Sequence, residues 1–120
     1  LDGLLAEGLD LATCLRKYTD VFGDTLRNQN RMCLAGIMAA EHKELPEEVQ
    51  AAVVKFGDMN VGWIAQVLSL DSKHEDVAVR RRALAIFAAV QGAQLVARSR
   101  GNSAVYDEIV RTYRESGLLP

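Results

Sequence analysis

Apolar residues along this chain recur at intervals of three and four, and nowhere do they alternate for long with polar ones. That spacing places them on one side of an α-helix. No Asn-Gly or Asp-Gly pair joins two apolar runs, so hairpins are not expected. The expected fold is all-α, a helical bundle of about five helices. Only two prolines, Pro46 and Pro120, interrupt the chain, so long helices are allowed.

The first helix is expected over roughly 3–28, with Leu11, Leu15, Tyr18, Phe22 and Leu26 on one stripe. Gly8 and Gly23 lie within it, and their weak helix propensity allows a break into two pieces. The second is expected over 30–43. Its centre, Met32 to Ala40, has nine residues without a polar side chain, as in a helix buried on every side. The third starts at Pro46, whose missing N–H would be unpaired in a first turn anyway. Val49, Val53, Phe56, Asn60, Trp63 and Val67 then form a stripe. Ser72 and Glu75 read as a capping box for the fourth, which runs to about Arg100. Gly101 suits its stop, and Asn102-Ser103 suits the cap of the fifth.

The fourth helix carries an unusual pattern. Between flanking arginines, Ala83 to Ala97 is a run of fifteen uncharged residues. As a helix it reaches only ~22 Å, short of the ~30 Å of a bilayer core, so a transmembrane reading is rejected. Val79, Ala83, Ile86, Val90 and Ala97 form one face. Leu84, Ala88, Leu95 and Val96 lie on other sides, and small residues at Ala88, Ala89, Gly92 and Ala93 allow close approach. A helix greasy on two sides, late in a 120-residue chain, is expected to meet a partner with its second face. The alternative is cover by the fifth helix alone. The expected partner is a second copy, with the last two helices of each forming a four-helix bundle. The expected interface is Ile86, Ala89, Val90, Gly92, Ala93, Gln94, Ala97, Val105, Ile109 and Tyr113.

Composition adds limits. About half of the residues are hydrophobic and a quarter charged, an ordinary globular balance. A net charge of −2 offers no nucleic-acid footprint. Cys14 and Cys33 make no metal or redox spacing, no secretory signal heads the chain, and a cytoplasmic location is expected. His42 and His74 lack ligand spacing, so no metal and no cofactor are expected. Arg80-Arg81-Arg82 reads as a solvated face pairing with Glu75, Asp76 or a partner chain. No catalytic triad, phosphate-cradling loop or carboxylate pair can be placed, and an enzyme is not expected.

Two stretches resemble a known family. "RMCLAGIMAAEHKELPEEVQAAVVKFGDMNVGWIAQVL", residues 31–68, is similar to the C-terminal regulatory domain of TetR/AcrR-type transcriptional regulators. "ALAIFAAVQGAQLVARSRGNSAVYDEIV", residues 83–110, looks like the last two helices of that domain. The order of elements carries the likeness: buried Met/Cys/Ala helix, "LPEEV" start, Trp-bearing helix, greasy helix, short final helix. With the first helix the resemblance covers essentially the whole chain, 1–120, as one effector-binding and dimerisation domain. It implies a small-molecule effector, a homodimer through the last two helices, and operator DNA contacted only through an N-terminal helix-turn-helix domain missing from this chain. Nothing here reads as a basic recognition helix, and the first residue, Leu1, is not an initiator methionine. Truncation is the expectation. A helical interaction module without ligand is the alternative.

An effector pocket between helices needs apolar walls and a few orienting polar groups. Met32, Met38, Phe56, Met59, Asn60, Trp63, Phe87 and Gln91 are the candidates, with Asn60 and Gln91 as the polar ones. Met, Phe and Trp at helical spacing are as readily core.

Overall fold

A computed structural model describes residues 10–28, 42–71 and 76–120, and everything structural below concerns those residues. They form four α-helices and two short 3₁₀ turns, with no strand among them. We number the helices α1, Leu11–Arg27; α2, Glu47–Leu68; α3, Asp76–Ser99; and α4, Ser103–Glu115. The turns are His42–Glu44 and Ser69–Asp71. The all-α class is as the periodicity predicts. The expected Met/Cys/Ala helix falls largely on residues outside those described, as do Gly8, the Ser72/Glu75 capping box and His74.

Local chemistry sets the helix ends. Asp10 caps α1, its carboxylate accepting the Thr13 N–H at 2.8 Å. That hydrogen bond favours the charged form and holds the Asp10 carboxyl below its ordinary range. Pro46 stands one position before the first turn of α2, as its N-cap, and Glu47 and Glu48 lie at the positive end of the helix. Between α3 and α4 the chain turns through Gly101, at φ 63°. The Gly101 N–H donates to Arg98 O at 3.0 Å and the Asn102 N–H to Ala97 O at 3.2 Å. These two bonds define a Schellman stop, which the missing Cβ of glycine permits. Asn102 then caps α4 by accepting the Ala104 N–H at 3.0 Å.

α3 sits at the centre. It packs against α2 on one flank and α4 on the other, and α1 lies across all three. The core is therefore a single layer between α1 and the α2–α3–α4 sheet of helices. It holds Leu15, Tyr18, Phe22 and Leu26 of α1, Val61, Trp63, Ile64 and Val67 of α2, and Val79, Ala83, Ile86, Val90, Ala93 and Ala97 of α3. Tyr106 and Val110 of α4 complete it, with Leu119 folded back from the end. Gly117, at φ 85°, reverses the chain, and the Leu119 N–H donates to Tyr113 O at 3.2 Å. Arg82 closes this corner, donating to the carbonyls of Gly117 and Leu118 at 3.4 and 3.3 Å. Its role is thus a link from α3 to the chain end, whereas Arg80 and Arg81 are exposed.

α1 does not break at Gly23. The helix continues through it, and Gly23 is buried. A Cβ there would come within 3.1 Å of the Tyr106 ring. The glycine lets α4 lie close on α1, a tertiary reason that propensity alone does not carry.

Candidate functional site

Tyr18, Asn60 and Trp63 meet where α1 crosses α2. Tyr18 and Phe22 are one turn apart on the buried stripe of α1, and Asn60 and Trp63 are three apart on that of α2. The Tyr18 ring stacks on Trp63 at 5.5 Å between centroids and meets Phe22 edge-on at 5.1 Å. Its phenol donates to Asn60 Oδ1 at 2.8 Å, and Asn60 Nδ2 donates to the Phe56 carbonyl at 2.8 Å. Both ends of the Asn60 amide are thus engaged within the chain. Asn60 fixes the register of α1 on α2, because a buried amide left unpaired is costly. It is not a group held free for a ligand.

Gln94 is spent in the same way. It is buried, and its Nε2 donates to the Phe22 carbonyl at 3.1 Å. Gln94, expected at a dimer interface, is enclosed within the single chain, where its amide ties α3 to α1. A third link joins α4 to α1. The Tyr106 phenol donates to the Thr19 carbonyl at 2.5 Å, and Arg114 donates to Thr19 Oγ1 at 3.0 Å. Burial, with a smaller contribution from Asp20, pushes the Tyr106 phenol above its ordinary value of 10.0. Arg27 bridges Asp24 and Asp107 at 2.7 and 2.8 Å, but these side chains are exposed and such pairs contribute ~0–1 kcal/mol.

The other expected pocket residues divide. Met32 and Met38 lie outside the described residues. Trp63 is buried in the aromatic cluster. Met59 is 64% exposed, turned out of the core, so it does not line an interior wall. Phe56 and Phe87 are half-buried. Phe87 lies over Gly57, whose notional Cβ would be 3.6 Å from the ring. Gln91, one turn beyond Phe87, is half-buried, and its Nε2 is sealed from solvent without a hydrogen-bond partner. Gly57 and Phe87 therefore mark the α2–α3 seam, with Gln91 one turn beyond Phe87, while Phe56 is in line with Asn60 and Trp63 on the α2 face of the α1–α2 crossing.

The expected interface residues divide as well. Ile86, Val90, Ala93, Gln94 and Ala97 are all buried in the core of the single chain. Their side chains are enclosed within the single chain, and the Gln94 amide reaches α1. Ala89, Gly92, Val105, Ile109 and Tyr113 are partly exposed, and the Tyr113 phenol donates to Ala89 O at 3.2 Å. The outward apolar surface of α3 is instead Val77, Leu84, Leu95 and Val96, at 62, 58, 54 and 41% exposure, with Ala85 and Ala88 between them. By helical geometry this arc lies opposite the Val79–Ala83–Ile86–Val90–Ala97 face. α3 thus has one apolar side on the core and one turned outward.

Tyr106, Thr19 and Arg114 were not singled out by the sequence. A phenol on a buried stripe requires a partner, which is the signal that Tyr18 and Tyr106 carry. Among the described residues, no three His, Cys, Asp or Glu side chains come together as a metal site, and no helix is long and apolar enough to cross a membrane. No protein-family model, curated protein or solved structure matches the chain.

Proposed function

We propose that this chain is the effector-sensing and dimerisation domain of a TetR-like transcriptional regulator, acting as a homodimer. A small, mostly apolar ligand would bind within it and modulate operator binding by an N-terminal helix-turn-helix domain carried outside these 120 residues. The observation that carries the reading is the two-sided α3. One side is committed to the core, and the opposite side exposes Leu84, Leu95 and Val96 in a nearly continuous apolar arc. Exposed apolar surface of this kind marks interaction sites.

The dimer face in this reading is the outward arc of α3, from Leu84 to Val96, flanked by Val105 and Ile109 of α4. A two-fold contact is self-complementary, so the small residues Ala88 and Gly92 can meet their own copies. A Cβ at Gly92 would touch nothing within 4 Å in the single chain, so the chain's own packing does not require glycine there. A stable interface buries at least ~1,000 Å² in total. Effector binding regulates such a dimer by favouring one arrangement of its subunits over another.

Two measurements test the proposal. Sedimentation equilibrium at micromolar concentration should give the mass of two chains. Trp63 is the only tryptophan and stacks on Tyr18, so its fluorescence reports on the interior. A broad panel of hydrophobic compounds that moves neither this signal nor the melting temperature would remove the sensing role. The second reading, a helical interaction module without ligand, is favoured by Asn60 and Gln94, whose amides are satisfied inside the chain.

A further inference from the structure

Gln91 presents a buried donor that nothing accepts from. Folding strips such an amide of its water and returns no hydrogen bond, a cost proteins normally avoid. The other two buried amides here show the usual outcome. Asn60 finds the Phe56 carbonyl and Gln94 the Phe22 carbonyl. Gln91 Nε2 is therefore an exception beside two buried amides that are paired.

Its position is informative. Gln91 follows Phe87 by one turn of α3, and Phe87 lies over Gly57 at the α2 flank. By helical geometry Gln91 lies about 20° round α3 from Leu84, on the edge of the outward arc nearest Phe87. With Nε2 sealed inside one chain, an acceptor has to enter from beside Phe87.

We infer that Gln91 is the hydrogen-bond donor of a ligand site at the α2–α3 seam, taking an apolar molecule that carries a carbonyl or ether oxygen. This rests on the effector-sensing reading and adds the ligand chemistry. The unpaired atom donates, so the complementary group is an acceptor. Phe87, one turn before it on α3, supplies flat apolar surface. An amide in a seam of this kind discriminates strongly, because a ligand without an acceptor leaves the donor unpaired.

The test uses two pairs of shape-matched probes on the 120-residue chain: acetophenone against α-methylstyrene, and benzophenone against 1,1-diphenylethylene. Each pair exchanges C=O for C=CH₂. Calorimetry should show at least one ketone binding roughly tenfold tighter than its hydrocarbon partner. The Gln91 side-chain amide resonances should move on ketone addition. In Gln91→Leu the preference should vanish, with hydrocarbon affinity kept and a melting temperature at or above that of the wild type. Equal affinity for both members of each pair overturns the inference while leaving an apolar sensing site in place. No binding of any probe at millimolar concentration overturns it, as does a crystal structure with only an ordered water on Nε2 after soaking. A Gln91→Leu chain melting roughly 5 °C lower would show that the amide is paired in the free protein, and overturns it too.

Discussion

The Tyr106 phenol donates to the Thr19 carbonyl across 2.5 Å, joining α4 to α1 over 87 positions of sequence. Both residues are buried, and Gly23, four residues after Thr19, leaves room for the Tyr106 ring. Removing the hydroxyl leaves the carbonyl without that donor, so Tyr106→Phe should lower stability by about 1–2 kcal/mol in urea unfolding at pH 7.

The same contact sets a dependence on alkali. The folded phenol titrates above its ordinary value of 10.0, chiefly through burial. Between those two pH values the unfolded chain ionises and the folded chain does not. Stability linked to Tyr106 is therefore intact below pH 10 and lost as pH rises beyond it. Urea unfolding at pH 8 and pH 11 should show a larger loss in the wild type than in Tyr106→Phe. Equal losses would mean that Tyr106 does not govern the alkaline limb.

Tyr18 and Asn60 should be energetically coupled. Tyr18→Phe and Asn60→Ala each remove one end of a buried hydrogen bond of 2.8 Å. The double-mutant cycle should yield a coupling of about 0.5–3 kcal/mol. Asn60→Ala should be the costlier single change, because it also frees the Phe56 carbonyl.

Glycine substitutions should split by position. At Gly62 a Cβ meets nothing within 4 Å, so Gly62→Ala should gain the helix-propensity difference, about 0.5–1 kcal/mol. At Gly23 the Cβ falls 3.1 Å from the Tyr106 ring and 3.2 Å from the Arg27 guanidinium. Arg27 is at the surface and can move aside. Tyr106 is buried and held by its hydrogen bond. Gly23→Ala should therefore destabilise despite the better propensity, and thermal unfolding of the pair checks the sign.

These positions show what the sequence discloses. Helix identity, the Gly101 stop and the Asn102 cap rest on neighbours within a few residues, so they are legible in one chain. The phase of α3 is not. A helix with apolar residues nearly all round has no polar face to orient it. Periodicity therefore grouped Val79, Ala83, Ile86, Val90 and Ala97 together without deciding whether that face meets the core or a partner. Ile86, Val90, Ala93, Gln94 and Ala97 prove to be core. Asn60 and Gln91 look alike as polar breaks in apolar stripes. Only three-dimensional pairing separates them, since the partner of Asn60 is 42 positions away at Tyr18 and Gln91 Nε2 has none. Gly23 reads as a weak point of α1 until α4 is placed against it.

Two glutamates on α3 distinguish the core side from the proposed dimer side. Ala93 is buried at 1% exposure, so Ala93→Glu forces an unpaired carboxylate into the layer beneath α1. That change should unfold the chain, since an uncompensated buried charge costs several kcal/mol. Leu95 is two residues along and 54% exposed. Leu95→Glu should leave the helical circular dichroism intact and change monomer stability by no more than about 0.5 kcal/mol. On the outward arc it places like charges near the proposed two-fold axis, so sedimentation equilibrium should fall from the mass of two chains to one. A wild-type chain that already sediments as a monomer, or a Leu95→Glu chain that remains a dimer, rules out association through this face of α3.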